Sequence, residues 1–225
     1  MQQTLFITGT DTGAGKTVLT ALLAQYLHGQ GANVGALKPV CSGGRGDARA
    51  LQAALDGALT LDEINPWHFQ TPIAPLLAAQ RENRRLKLSP VVAHARAMQK
   101  RFDVLLVEGA GGLLSPLGVD FNSRDLLLVL AATPLIVAQN RLGAVNHVLL
   151  TLEALPENLR SQAQVVLMAP QKADAATKSN ARLLAEFFPA ESIFTIPWLG
   201  EKIIPADALK KARVLRTLRG LVAGT

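Results

Sequence analysis

The segment 9–17, Gly-Thr-Asp-Thr-Gly-Ala-Gly-Lys-Thr, constrains the fold of this chain more than any other. It follows residues 4–8, an apolar run that predicts a buried strand, and it runs into residues 16–29, where apolar residues recur at helical spacing. A strand, a glycine-rich turn and a helix that opens with Gly-Lys-Thr are typical of a phosphate-binding loop. The loop is one residue longer than the strict pattern, because Thr10 stands where that pattern has glycine.

Short apolar runs alternate with helical patterns along the rest of the chain. Further strands are predicted at 33–37, 103–107, 135–138, 164–168 and 192–196, and further helices at 89–101, 145–155, 174–187 and 206–218. Ser89 is expected to cap its helix, with Pro90 at the first helical position.

Strands that are apolar throughout and separated by helices predict a mostly parallel sheet with helices on both faces. The expected fold class is therefore α/β, a single-domain P-loop NTPase-like fold over residues 1–225. Residues 57–88 contain Pro66, Pro72 and Pro75, and are expected to form an irregular excursion.

A net charge of +6 raises nucleic acid as a partner. Residues 81–101 hold seven basic residues and one acid, and residues 201–219 hold six and two, so the rest of the chain carries −4. Only 4% of the residues are aromatic, and none is interleaved with these charges, so a stacking platform for single strands is not expected. Two solvated helix faces are the favoured interpretation, with no nucleic acid as partner.

Cys41 is the single cysteine of the chain, which excludes disulfides and favours a reducing compartment. No motif links a histidine to it, so a small buried thiol is favoured over a nucleophile. The first ten residues lack a positive charge ahead of their apolar stretch, and the longest apolar run, residues 126–138, is shorter than the roughly 20 residues of a membrane span. We therefore expect a cytoplasmic protein with no membrane partner.

Charged residues follow the predicted strands, at the edge where parallel sheets bind ligands. Lys16 is expected to reach the β and γ phosphates, and the Thr17 hydroxyl to ligate Mg²⁺. Lys38 ends the second strand and is expected to point into the same crevice, with an ordinary surface lysine as the alternative. Glu108, before a run of glycines, suits a metal beside phosphates. Asp47 is either a second acidic ligand or a helix N-cap.

A second helix N-terminus is predicted at the same edge, after residues 140–143, and suits an anionic group. The four histidines have no metal-like spacing, so each is expected to be packed or solvated; they are His28, His68, His94 and His147.

Taken in order, the motifs GTDTGAGKT, KPVCSG, VEGAGG, LGAVNH and IPWL resemble those of the dethiobiotin synthetases, and they span most of the chain. The resemblance implies a homodimeric ligase that takes 7,8-diaminononanoate, CO₂ and ATP. A carbamate forms on one amine, ATP phosphorylates it, and the second amine closes a cyclic urea, with release of ADP and phosphate.

The resemblance also implies which residues form the site. Thr12, Lys16 and Lys38 would act in catalysis, and Thr17, Asp47 and Glu108 would hold Mg²⁺. Thr12 and Ser42 would contact the diamine or the carbamate. The substrate carboxylate would bind in the partner subunit's turn, which comprises Gly143, Ala144, Val145 and Asn146. ATP would be bound by Gly13, Ala14, Gly15, Lys16, Thr17, Val18, Asp47, Glu108, Gly109, Ala110, Gly111, Pro170, Gln171, Pro197, Trp198 and Leu199.

One departure from the family pattern concerns the nucleotide base. The family commonly has an Asn-Asp pair after the fifth strand, where this chain has Ala169, Pro170 and Gln171. Proline offers neither a backbone N–H nor a side-chain amide. We therefore expect other nucleoside triphosphates to serve beside ATP, unless Gln171 reaches back to read the base.

Three other interpretations remain. Corrin-ring amide synthases look similar but carry a further glutaminase domain, for which this chain is too short. Partition or septum-site ATPases act on DNA or membranes and have an extra lysine in the turn, where this chain has Asp11, Thr12 and Gly13. The basic last helix of this chain favours such an ATPase. ATP turnover that is stimulated by DNA or lipid would also favour it. A nucleotide-binding module without catalysis would leave Lys38 and Glu108 without a role.

Overall fold

Six parallel strands form one central sheet in a computed structural model that describes residues 2–201 and 203–223. From one edge to the other they are β10 (Ile193–Ile196), β9 (Gln164–Met168), β8 (Thr133–Gln139), β1 (Gln3–Gly9), β5 (Val104–Gly112) and β2 (Val34–Leu37). Two small pairs lie outside this sheet: β3 (Val40–Ser42) runs parallel to β4 (Trp67–Phe69), and β6 (Pro116–Gly118) antiparallel to β7 (Phe121–Asn122). The predicted α/β fold with a mostly parallel sheet is confirmed.

Helices cover both faces of the sheet. On one face α1 packs with α2, α10 and α11, and on the other α5 packs with α6, and α7 with α9. The helices are α1 (Lys16–Gly29), α2 (Gly46–Ala54), α3 (Leu61–Ile64), α4 (Pro75–Arg81), α5 (Leu88–Gln99), α6 (Ser123–Val129), α7 (Ala144–Glu153), α8 (Glu157–Arg160), α9 (Ala175–Leu184), α10 (Pro205–Ala208) and α11 (Ala212–Ala223), with a 3₁₀ turn at Ala190–Ser192. None of the helices in the described ranges is both long and apolar enough to cross a bilayer.

The strand β1 lies in the middle of the sheet and forms part of the hydrophobic core. Leu5, Phe6 and Ile7 are fully buried, because β1 pairs with β5 on one side and β8 on the other and helices cover both faces. Since all six strands are parallel, their carboxyl ends meet at one edge of the sheet. The loops after β1, β2, β5, β8 and β9 therefore converge there.

Two helix predictions need correction. Ser89 does not cap α5, because the helix begins at Leu88 after an extended Lys87, which places Pro90 at the third helical position. The predicted helix at 206–218 is two helices, α10 and α11, with a turn between them. This break lets Ala208 and the apolar stripe of α11 both reach the core.

The excursion at residues 57–88 is more ordered than its prolines suggest. Thr60 and Glu63 form a reciprocal capping box at the start of α3, a pattern that the sequence shows in advance. The segment then supplies β4, which pairs with β3, and α4, which contacts β6. It therefore returns to the edge of the sheet where the loops converge.

Candidate active site

The phosphate-type loop lies between β1 and α1, where the sequence predicts it. Gly15 has φ of +102°, and a Cβ there would lie 2.9 Å from the Cγ of Met168, so only glycine fits both the backbone and the space. Gly13 also has a positive φ, and its carbonyl accepts a 2.9 Å hydrogen bond from Gln139 Nε2. The end of β8 thus holds the tip of the loop.

Lys16, the first residue of α1, turns back across its own loop. Its Nζ donates to the Asp11 carbonyl at 3.0 Å and to the Gly111 carbonyl at 2.6 Å. Burial, and then the nearby ammonium of Lys38, lower the pKa of Lys16 to about 8. The side chain therefore joins the loop after β1 to the carboxyl end of β5 and carries a charge that an incoming anion would stabilise.

Lys38 lies between two carboxylates. Its Nζ is 2.6 Å from Glu108 Oε1 and 2.9 Å from Asp47 Oδ2, and it donates to the Gly109 carbonyl at 3.0 Å. Lys38 is only 3% exposed and Glu108 only 1%. The surface-lysine alternative is wrong, because this ammonium is buried and held by three oxygens.

Two neighbouring carboxylates keep the Lys38 side chain ionised despite its burial. Burial alone lowers the pKa of Lys38, but Glu108 and Asp47 outweigh it and raise that pKa above its ordinary value. Burial would raise the pKa of the Asp47 carboxyl, yet Lys38 and a hydrogen bond from Thr17 hold it below its ordinary value. The Lys38 ammonium is therefore the counterion of both carboxylates.

These groups line a cavity of about 670 Å³, which we call the charged cavity. Thr12, Lys16, Lys38 and Ser42 all face it. The sequence positions of the two lysines predict this, and the family resemblance implies it for Thr12 and Ser42. Residues 72–75 of the excursion and Ser115 and Pro116 also line the cavity, although no sequence motif assigned them to the site. The remaining lining residues are Gly13, Gly15, Thr17, Val18, Cys41, Asp47, Glu108, Ala110 and Gly111.

The contact between Ser42 and Ile73 ties the excursion to the cavity. The Ser42 hydroxyl donates to the Ile73 carbonyl at 2.5 Å, and Gly43 N donates to the Phe69 carbonyl at 3.0 Å. No local pattern signals that residues 72–75 reach the site, apart from the prolines that break the helical periodicity there.

The oxygens beside Lys38 fit a magnesium ion. The Thr17 hydroxyl is 2.7 Å from Glu108 Oε1, while Glu108 Oε2 is buried and has no hydrogen-bond partner. Asp47 lies at the second position of α2 and does not cap it, since Arg45 is the N-cap. The described residues contain no cluster of three or more His, Cys, Asp or Glu side chains. A hydroxyl and two carboxylates suit Mg²⁺, which binds few protein ligands and completes its shell with phosphates and water.

A second cavity of about 390 Å³, here called the apolar cavity, adjoins the loop on the side of β8 and β9. Nine of the residues expected to bind nucleotide line it, four from the loop region and, outside it, Pro170, Gln171, Pro197, Trp198 and Leu199. Its buried amide, Asn140, is already engaged, because Nδ2 donates to the Thr177 carbonyl at 3.0 Å and Oδ1 accepts from Asn180 at 2.8 Å. Gly13, Ala14, Gly15, Val18, Gln139, Arg141, Met168, Ala169 and Ile203 complete the lining.

Residues 143–146 form the predicted second helix N-terminus, with Gly143 as the left-handed N-cap of α7. None of these four described residues lines the charged cavity of its own chain. Ala144 instead borders a small recess behind Thr12, next to His147. Apolar side chains are exposed around this end of α7, with Leu142 80% exposed and Leu150 61%.

Sequence comparison identifies close relatives. A family model described as an AAA domain matches residues 3–203. An ATP-dependent dethiobiotin synthetase from Anaeromyxobacter dehalogenans is 37% identical over 222 residues, which is 96% of each chain. An ATP-dependent dethiobiotin synthetase from Methanocaldococcus jannaschii is 41% identical over 155 residues, covering 67% of this chain and 72% of its own.

Comparison with solved structures shows the fold at much lower identity. A ParA protein of pNOB8, solved bound to nonspecific DNA, is 13% identical with a TM-score of 0.61 and covers 100% of this chain and 98% of its own. A ParA-family ATPase from Chlorobium tepidum is 15% identical with a TM-score of 0.58 and covers 96% of both chains. These matches show a shared architecture, and at such identities they carry nothing about ligands.

Proposed function

The chain belongs to the dethiobiotin synthetase family and is an ATP-dependent ligase of biotin biosynthesis, and from that premise we propose the reaction that it catalyses. Its substrates are 7,8-diaminononanoate, CO₂ and a nucleoside triphosphate. The carbamate of one amine is phosphorylated, and the second amine attacks the mixed anhydride, closes the cyclic urea and expels phosphate. The observation that carries this proposal is the pair of buried lysines, Lys16 and Lys38, in one cavity with two carboxylates.

The arrangement meets the main electrostatic problem of this reaction. A carbamate and a γ-phosphate are both anionic and repel each other, so cations must bring them together. Lys16 begins α1, where backbone N–H groups also favour a phosphate, and its ammonium can leave the carbonyls of Asp11 and Gly111 for the triphosphate. Lys38 faces the same cavity from the other side and is placed to stabilise the carbamate and the transferring phosphoryl group.

Mg²⁺ would be held by Thr17, Asp47 and Glu108, with Glu108 Oε2 as the oxygen that lacks a partner. When bound, it would neutralise charge on the phosphates. Thr12 and Ser42 line the cavity and would position the diamine or its carbamate. Lys38 is the counterion of the same carboxylates. If Mg²⁺ neutralises them, the Lys38 ammonium can turn toward an anionic substrate.

The apolar cavity would receive the nucleotide base. Pro170 and Gln171 form part of its wall, and Trp198 is its one aromatic side chain among the described residues. Because the Asn140 amide is occupied by Thr177 and Asn180, the cavity recognises a flat ring better than a particular hydrogen-bonding edge. Nucleoside triphosphates other than ATP would therefore be accepted.

A second copy of the chain would complete the substrate site. Residues 143–146 lie away from the charged cavity of their own chain, at a helix N-terminus suited to a carboxylate, and exposed leucines flank them. Mixing the variants Lys16→Ala and Asn146→Ala tests this arrangement. Hybrid dimers with one intact site should recover part of the activity, and no recovery despite demonstrated subunit exchange would exclude the shared site.

Phosphate release tests the reaction itself. The enzyme is assayed with ATP, Mg²⁺, bicarbonate and 7,8-diaminononanoate, and then without the diamine. We expect release that depends on the diamine and matches dethiobiotin formed. Release that ignores the diamine but rises with DNA or lipid vesicles would contradict the proposed reaction.

A further inference from the structure

Asn65 is fully buried directly after α3, behind the wall of the charged cavity. It is absent from the described lining of that cavity, so its side chain is not placed to touch a bound substrate. Both ends of its side-chain amide nevertheless bond to the segment that carries Lys38 and Cys41, while its N–H donates to the Leu61 carbonyl within α3. Neither the phosphate loop nor the capping box of α3 explains a buried amide at this position.

The main chain of Lys38 depends on residues 64 and 65. Lys38 lies beyond the end of β2, the edge strand of the sheet, and before β3, so no sheet ladder holds it. Its N–H donates to the Ile64 carbonyl at 2.9 Å, and its carbonyl accepts from Asn65 Nδ2 at 2.6 Å. Pro39 follows and has no N–H of its own to contribute. The Asn65 amide is therefore the partner that fixes the Lys38 carbonyl.

The rest of Asn65 fixes the amide itself. Its Oδ1 lies 3.1 Å from Cys41 Sγ, and its backbone carbonyl accepts from Arg45 Nη2 at 3.0 Å. Arg45 also pairs with Asp62 at 2.8 Å and is the N-cap of α2, the helix that carries Asp47. One buried residue thus connects the main chain of Lys38 with the segment that presents its carboxylate partner.

We propose that Asn65 is a positioning residue that holds the Lys38 ammonium in register with Glu108 and Asp47, an inference that rests on the proposed catalytic role of Lys38. The Lys38 side chain is flexible and three oxygens hold its Nζ, so the position of its backbone decides the conformation in which Nζ can reach them. Without the amide donor, the buried Lys38 carbonyl is left unsatisfied and the backbone moves to find another partner. A shift of about 1 Å in a reacting group can lower a rate about a hundredfold.

Two substitutions and one control separate positioning from folding. Asn65→Ala removes the amide, and Asn65→Asp keeps its size but replaces the donor with an acceptor. Leu59→Ala, in the same segment, opens a cavity without touching Lys38. We expect both Asn65 variants to lower kcat about tenfold or more while KM for ATP stays within about twofold, and Leu59→Ala to keep its kcat at temperatures where it remains folded.

A second readout follows Lys38 without any enzymatic activity. Acetic anhydride labels exposed lysines, and peptide mass spectrometry gives the ratio of Lys38 to Lys16 labelling within one molecule. Both lysines are almost equally buried, at 3% and 6% exposure, so a general loosening of the structure leaves the ratio unchanged. Asn65→Ala should raise the ratio of Lys38 to Lys16 labelling at least about threefold, because the segment that carries Lys38 opens more often. Leu59→Ala should leave this ratio unchanged.

The results decide between clear alternatives. A wild-type ratio in a folded Asn65→Ala protein, or the same ratio and kcat in Asn65→Ala as in Leu59→Ala, overturns the positioning role. If Asn65→Ala does not fold, Asn65→Asp answers the same question. If wild-type enzyme makes no dethiobiotin but the labelling ratio rises as expected, the proposed reaction fails while the structural link between Asn65 and Lys38 stands.

Discussion

The charged cavity and the apolar cavity share the loop residues Gly13, Gly15 and Val18, yet they are built in opposite ways. In the charged cavity, ionised side chains neutralise one another and each can exchange its partner for a ligand atom. In the apolar cavity, the buried amide of Asn140 is tied to α9, and apolar side chains and backbone form most of the wall.

This difference indicates how the two cavities select ligands. Under the proposed function, Lys16 and Lys38 would recognise charge, which every nucleoside triphosphate and a carbamate supply. The apolar cavity would recognise shape more than a hydrogen-bonding edge, because its buried amide, Asn140, is already engaged. Changes at Lys38 should therefore affect turnover and changes on the apolar side should affect nucleotide affinity, whereas changes at Lys16 should affect both.

Removal of either buried lysine should produce the largest effects. Lys38→Ala should lower kcat by about 10²–10³, the usual loss when one preorganised donor to developing charge is removed, while ATP affinity stays close to wild type. Lys16→Ala should lose both turnover and nucleotide binding, because in the proposed complex Lys16 would contact the phosphates directly. Steady-state phosphate release and equilibrium ATP binding measure the two quantities. Near-wild-type turnover in Lys38→Ala would remove this residue from the catalytic set.

Trp198 offers the converse test on the apolar side. Trp198→Ala should weaken nucleotide binding by about tenfold and leave kcat at saturating ATP nearly unchanged, because base–aromatic stacking contributes about 1–3 kcal/mol. Phe187→Ala, an aromatic side chain that is 63% exposed and does not line either described cavity, is the matched control. A large loss of kcat in Trp198→Ala would show that the two cavities do not act separately.

The pH dependence of nucleotide affinity reports on Lys16 in the charged cavity. With the pKa of Lys16 lowered to about 8, the ammonium is present below that pH and is lost above it. ATP binding should weaken about tenfold between about pH 7 and pH 9, because a neutral amine no longer attracts the triphosphate. Lys16→Arg stays charged over this range and should show a flatter profile. Equal slopes for the two proteins would assign the titration to another group.

The choice of base should have the smallest effect. CTP, GTP and UTP should fall within about tenfold of ATP in kcat/KM, equivalent to about 1.4 kcal/mol, because Pro170 offers no amide to read the base. The measurement is diamine-dependent phosphate release with each triphosphate in turn. A preference for ATP of about a thousandfold would instead make Gln171 or a backbone group the base reader.

The sequence alone determined the sheet architecture of the protein and the edge at which its site lies. Apolar runs that alternate with helical patterns predicted the parallel sheet, and the geometry of such sheets brings the ends of β1, β2 and β5 to one edge. Lys16, Lys38 and Glu108 could therefore be assigned to one crevice without coordinates. The bounds of α1 and β9 were also correct, because helical periodicity that ends near Gly29 and Gly31 marks α1 and a short apolar run marks β9.

Only the tertiary structure decided how that crevice is closed and held. Lys38 and Glu108 are 70 residues apart, and Asn65 is 27 residues from the lysine whose carbonyl it binds. Residues 72–75 carry no motif, yet they form a wall of the charged cavity. A local pattern records which face of an element is buried, but not which distant side chain completes a hydrogen bond. Those partners are fixed only when the core packs, since a buried polar group must then find a partner or lose stability.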